Sequence, residues 1–160
     1  LHVQQTPLGY IEWNEVLQVT DWNPSAEKIF GFKHSDVIGK PAFEYIVPES
    51  EQLQVWQIWK DILNQSGGGN SVNTNITKNG STIICEWYNT PLKDSMGKLI
   101  GLATLVQDIT ERKFLELELE KSNKILKKHY SETLEQVQTY SEELKIKETE
   151  LIRLQKDNLQ

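Results

Sequence analysis

The chain has 160 residues, enough for one domain of ordinary size and an appendage. Its 17 Lys and Arg against 23 Asp and Glu give a net charge of −6 and a pI near 5.1. That balance excludes a broad nucleic-acid-binding surface, which needs clustered cations.

A lone cysteine, Cys85, excludes an internal disulfide and a multi-cysteine zinc site, and fits a reducing cytosol. No apolar run approaches the roughly 20 residues that cross a bilayer, and no signal peptide is visible. The chain opens on Leu1 rather than methionine, so it reads as a piece of a longer cytoplasmic protein.

In chain order, "YIEW" and "LQVTDW" read as short strands on either side of Asn14-Glu15. Asn23-Pro24 then starts a helix, with Asn as N-cap and Pro at the first helical position, and Gly31 stops it. "HSDVIGKPAFEYIVP" reads as helical turns broken by Gly39, Pro41 and Pro48. From about Ser50 an amphipathic helix carries Leu53, Trp56, Ile58, Trp59, Ile62 and Leu63 at helical spacing, and Gly67-Gly68-Gly69 ends it in a loop. "SVNTNIT" alternates Val72 and Ile76 with polar residues. Asn79-Gly80 signals a hairpin whose two turn positions both need positive φ, and "STIICEWYNTPL" returns. "KDSMGK" makes a second turn before the last strand, "LIGLATLVQD".

The chain then changes character. All nine glycines, five prolines and five tryptophans fall at or before Gly101. Residues 1–110 carry 7 basic and 12 acidic groups, and residues 111–160 carry 10 and 11. Aromatic residues supply the buried area for a core in the first segment, whereas dense balanced charge marks a solvated helix in the second. The expected division is therefore a domain over 1–110 and a helix over 111–160. The basic cluster Lys124, Lys127 and Lys128 lies among acidic neighbours, as on a solvated helix face.

At the boundary, "LVQDITERK", both Asp108 and Thr110 are able to cap a helix, and Asp108 with Glu111 has the spacing of a capping box. Asp108 and Arg112 lie four apart, the spacing of a salt bridge between the strand end and the first helical turn. On a surface such a pair contributes about 0–1 kcal/mol, which makes a poor staple but a usable switch.

The helix spans roughly 75 Å at 1.5 Å per residue. Placing Tyr130, Val137, Leu144 and Leu151 at heptad position a puts Leu119, Leu126, Tyr140 and Leu154 at d, the pattern of a coiled coil. Asn123, Thr133 and Lys147 interrupt the seam, and Asn158 comes near its end. A buried Asn at a fixes register and favours a dimer at some cost in stability. The bland alternative is a single amphipathic helix packed on another domain.

In this order and spacing, Asn23 with Ala26, "IFGF…DVIGK", "TKNGSTIICEW…PLKDSMGKLIGL" and above all "QDITERK" resemble the PAS family of sensor domains, over about residues 8–110. The resemblance implies an α+β fold: a five-stranded antiparallel sheet with helices on one face, enclosing a small pocket and ending in an Asp-Ile-Thr motif that leads into a helical linker. It casts Asp108, Ile109, Thr110 and Arg112 as the signal-coupling residues. It also casts the long helix as a parallel coiled-coil homodimer passing the signal to a C-terminal effector domain in cis. The expected source is a sensor histidine kinase of a two-component system. The alternatives are a diguanylate or adenylate cyclase sensor and a ligand-free dimerisation scaffold.

Within that resemblance no cofactor is required. Flavin–thiol relatives carry their cysteine in an Asn-Cys-Arg-Phe-like helical motif, whereas Cys85 lies in a strand and reads as a small buried apolar residue. Haem relatives use a histidine on the long helix. The helix over 51–64 has none and His34 precedes it, so haem is not expected. Trp56, Trp59 and Trp87 are the candidate pocket residues. They either line a space for a flavin or other small organic ligand or, as the favoured reading has it, fill the space themselves.

No catalytic set is legible: there are no paired carboxylates, no nucleophile with its base, and no Lys-Ser/Thr of a phosphate loop after the glycine run. His129 in "KKHYSETLEQ" lacks the flanking residues of a phosphoacceptor histidine and sits at heptad position g. No metal site, nucleic-acid partner or membrane span is expected.

Overall fold

The computed structural model describes residues 6–63 and 69–157. The side chain of Leu63 and residues Gly67, Gly68 and Asn158 lie outside what it describes. Asn23 begins the packing of the first half. Its Oδ1 accepts from the Ala26 N–H at 2.8 Å, capping helix α1 (Pro24–Phe30), and from the Tyr10 N–H at 2.9 Å on strand β1 (Gly9–Asn14). Its Nδ2 donates to the Leu8 carbonyl at 3.0 Å. One buried amide thus fixes where the helix meets the sheet.

Strand β2 (Val19–Trp22) pairs antiparallel with β1. The short helices α2 (His34–Val37) and α3 (Phe43–Ile46) and the longer α4 (Glu49–Leu63) follow. Strands β3 (Asn70–Ile76), β4 (Thr82–Lys93) and β5 (Leu99–Asp108) complete a five-stranded antiparallel sheet of order β2-β1-β5-β4-β3. The helices cover one face. Between them and the sheet lie Ile11, Trp13, Trp22, Phe30, Ile46, Trp59, Leu102 and Val106. Trp22 and Phe30 pack at 5.4 Å between ring centroids, and Phe30 stacks on Trp87 at 5.8 Å.

Three readings of the sequence change. The Asn79-Gly80 turn needs positive φ only at Gly80 (φ 84°). The Gly80 N–H donates to the Thr77 carbonyl at 2.9 Å, so this is a type I turn closed by a glycine bulge rather than a two-residue loop. In α4 the buried residues are Val55, Trp59 and Ile62 with Ile58 half-buried, whereas Leu53 is 83% exposed and Trp56 41% exposed. In β3 the alternation is inverted. Val72 is 52% exposed, whereas Asn75 is fully buried between its neighbours. Asn75 accepts from Trp87 Nε1 at 3.0 Å and donates to the Ile46 carbonyl at 2.9 Å, which is how a core accommodates a buried amide.

Helix α5 (Thr110–Asp157) begins directly after β5, and the chain divides into compact units at 1–113 and 114–160. In the second unit every described side chain, from Phe114 to Asp157, is exposed.

Candidate functional site

The strand-to-helix junction is built by substitution of one hydrogen-bond acceptor for another. Cys85 pairs with Asp108 as the last step of the β4–β5 ladder. One residue on, the Ile109 N–H still donates to the Ile84 carbonyl at 2.8 Å, as an extended ladder would require. The Ile109 carbonyl, however, accepts the first helical bond, from the Lys113 N–H at 2.9 Å. The Ile84 N–H therefore needs another acceptor, and the Thr110 hydroxyl supplies it at 2.8 Å. That hydroxyl donates in turn to Asp108 Oδ1 at 2.5 Å, which also accepts the Thr110 N–H at 2.9 Å.

The expected cap is corrected accordingly. Asp108 closes a turn onto Thr110 rather than a capping box with Glu111, and the N-cap position belongs to Ile109. Ile109 itself is buried at the corner.

Arg112 also lands elsewhere than the four-residue spacing suggests. Its Nη2 meets Glu86 Oε2 at 3.0 Å, across the sheet on β4, rather than Asp108. Glu86 is only 17% exposed in its side chain and sits opposite Gln107, so the pair ties the first turn of α5 to the sheet itself. Burial, and then the neighbouring Glu86 carboxylate, raise the Tyr88 hydroxyl above its ordinary pKa. Sequence spacing missed Glu86. The signal for it lay in the β4–β5 register, which places residue 86 beside the chain end that becomes α5.

Removing the Thr110 hydroxyl isolates the Ile84 N–H. Thr110→Val is expected to cost about 1–3 kcal/mol, read as a lower urea midpoint with unchanged slope. An unchanged midpoint would mean that the Thr110–Ile84 bond contributes nothing.

Behind the junction lies a cavity of about 30 Å³. The helices contribute Phe43, Ile46, Val47, Val55, Ile58 and Trp59 to its wall, and the sheet contributes Trp13, Ser71, Asn73, Trp87, Asn89 and Thr104. Trp59 and Trp87 are where the sequence placed them. Trp56 is not, since it stacks outside on Phe43 at 6.4 Å, and Trp13 takes its place, edge-on to Trp59 at 5.4 Å.

Cys85 lies on β4 and is not among the residues that line the cavity. It is fully buried, and burial, then the Asp108 charge, push its thiol up to about 12, so it stays protonated at neutral pH. Among the described residues no group of His, Cys, Asp and Glu is placed to hold a metal ion, and no helix is long and apolar enough to cross a membrane.

On α5 the seam residues Leu119, Leu126, Tyr130, Val137, Tyr140, Leu144, Leu151 and Leu154 are all exposed. Thr133, a polar seam position, donates its hydroxyl to the His129 carbonyl at 2.8 Å and so carries its own partner into any interface.

A five-stranded sheet of this order, helices on one face, a small core cavity and an Asp-Ile-Thr corner opening a helix are thus present together. The PAS fold family matches residues 2–109. The chain belongs to the PAS family.

This PAS domain is similar to the PAS domain of a protein from Colwellia psychrerythraea at 17% identity and a TM-score of 0.63, over 68% of this chain and 92% of that one. It is similar to an RNA-binding light-oxygen-voltage receptor at 17% identity and a TM-score of 0.62, over 81% of this chain and 36% of that one. It is also similar to a sensory box histidine kinase/response regulator from Burkholderia thailandensis E264 at 18% identity and a TM-score of 0.59, over 79% and 95%. At these identities the likeness concerns the fold. No curated protein matches the sequence.

Proposed function

We propose that this PAS domain is the sensory part of a larger signalling protein, dimerises through a parallel coiled coil of α5, and passes changes in its sheet to a C-terminal effector in cis. The observation that carries this reading is the junction. The first turn of α5 is bonded to β4 at Ile84 and Glu86, so displacement of β4 must alter how the helix leaves the domain. Asp108, Ile109, Thr110 and Arg112 form that joint, with Glu86 as the partner of Arg112. Trp87 and Asn89 place the cavity wall on the same strand, which gives a short mechanical route from core to helix.

The Arg112–Glu86 pair, half-exposed on its arginine side, is weak enough to open and close with small shifts of the sheet. A sensor histidine kinase is the favoured setting, since a relative of this fold carries that name, and a nucleotide cyclase sensor is the alternative. The small, largely filled cavity favours a second reading, a ligand-free dimerisation scaffold.

Electron–electron resonance distances between spin labels on Glu142→Cys in the dimer test the coupling, because buried Cys85 does not compete for the label. Arg112→Ala and Glu86→Gln are each expected to shift or broaden the interhelical distance by about 1–2 Å, the scale of helix movements in switching proteins. In the intact protein, Asp108→Ala and Arg112→Ala should change output without unfolding the domain. Unchanged distances and unchanged output in all variants would sink the coupling idea.

A further inference from the structure

We infer that the outward face of α4 pairs antiparallel with α4 of a second copy of this chain, about a twofold axis between Gln54 and Val55. The contact uses only residues of the 1–113 unit and is separate from the α5 coil proposed above.

The face is apolar where a solvated helix favours polar groups. Leu53 is 83% exposed and Trp56 41% exposed, turned away from the buried Val55, Trp59 and Ile62. With Glu49 and Lys60 they form a stripe at spacings of four, three and four residues. One helix presents a seam to another at these spacings. Single exposed apolar side chains are ordinary, whereas contiguous ones mark contact surfaces.

Trp56 is also held in place. Its ring stacks on Phe43 at 6.4 Å, and Lys60 Nζ lies 5.9 Å from its centroid. Gln52 donates to the Glu44 and Val47 carbonyls at 3.1 and 3.2 Å, which fixes the start of α4 to α3. Phe43, Glu49, Gln52, Leu53 and Trp56 line a surface hollow of about 390 Å³. A rigid aromatic beside a hollow makes a good interface anchor, because little side-chain freedom is lost on binding.

The order of residues along the stripe identifies the occupant. Reading it backwards exchanges Glu49 with Lys60, Gln52 with Gln57 and Leu53 with Trp56. In an antiparallel pair each therefore meets its complement: ion pairs at the ends, amides inside them, and Leu on Trp at the centre. A twofold contact requires this self-complementarity. A parallel pair would set Glu49 on Glu49 and Lys60 on Lys60, and like charges penalise that arrangement. An unrelated partner would require no such order.

The stripe is short. Its eleven residues rise about 16 Å, and so small an area falls below the roughly 1,200 Å² of a stable specific interface. The contact is therefore transient, and trapping reads it better than stoichiometry does.

The whole chain carrying both Glu49→Cys and Lys60→Cys is the trap. In the antiparallel pair the two new thiols of one copy face those of the other in crossed order. Copper–phenanthroline oxidation then closes disulfides between copies. Within one copy the two positions lie about 16 Å apart, beyond the ~7 Å that Cα atoms of a disulfide allow. Each single variant places its like positions about as far apart along the pair, and buried Cys85 does not compete.

The double variant is expected to form covalent dimer at least ten-fold faster than either single variant. Leu53→Asp in that background should abolish the advantage, and because Leu53 is exposed the change leaves the core intact. Three results would each overturn the proposal: equal rates for single and double variants, rapid bridging by one single variant, or an advantage that survives Leu53→Asp. Equal rates would return the face to a partner other than a second copy. None of these outcomes bears on the spin-label distances, which report on α5.

Discussion

Exchanging Leu144 and Leu151 together for asparagine is expected to raise the dimer dissociation constant by about 10³-fold or more. Both residues occupy position a, and both are exposed on a helix that buries none of its described side chains. Burying a leucine contributes about 1.5–3 kcal/mol, and a parallel pair buries each of these twice. Even after the side-chain ordering that association demands, four leucines are worth more than 4 kcal/mol, or about 10³ in affinity. Sedimentation equilibrium over a concentration series reads the constant directly.

The control is the same pair of changes at the outward positions Glu142 and Thr149, which should leave association nearly untouched. A double variant that remained a strong dimer would remove the coil as the main interface and move the search to the PAS domain. The polar seam positions Asn123, Thr133 and Lys147 bear on the same argument. In the proposed coil they would lower stability without abolishing the heptad pattern, and a marginal coil is the kind that responds to a small change at its root.

The second large effect concerns Gly101→Ala, expected to cost about 3 kcal/mol of folding free energy. Gly101 lies on β5 opposite Asn14 of β1 and Leu92 of β4. A Cβ built there would lie 2.2 Å from the Trp13 carbonyl oxygen and 3.3 Å from its carbonyl carbon. These are backbone atoms in the middle of a sheet, so the clash is relieved only by parting β1 from β5. Because Trp13 also walls the cavity, the same change should disturb its indole signal. Gly69→Ala is the matched control, since a Cβ at that position meets nothing within 4 Å. Chemical denaturation of both variants decides the matter, and equal midpoints would mean that β1 yields at Trp13 more readily than a paired strand should.

Much of the fold was legible because its signals are local. Asn23-Pro24 announces a helix start through side-chain chemistry that acts over three residues, and it caps α1 as expected. The turns at Asn79-Gly80 and in "KDSMGK" were legible from turn-forming residues, although the first was misjudged because a bulge and a two-residue loop share the same residues. The composition break near residue 110 likewise marks the end of the sheet and the start of α5.

The candidate sites were legible in part. Trp59 and Trp87 reach the cavity, but α4 is turned so that Trp56 faces outward and Val55 inward. Helical spacing identifies a stripe, yet a helix with apolar residues on more than one face has several stripes to offer. Only its neighbours choose among them.

The sequence by itself determined the elements, their order, the Asp-Ile-Thr corner and the heptad stripe, because capping, turn chemistry and periodicity act between residues a few positions apart. Tertiary structure alone decided that Arg112 meets Glu86, 26 positions away, rather than Asp108. It decided too that β3 turns Ser71, Asn73 and Asn75 inward, and that three indoles leave a space of about 30 Å³. These outcomes depend on strand register and on how side chains from distant segments share one volume. Neither is encoded in the spacing along any single segment.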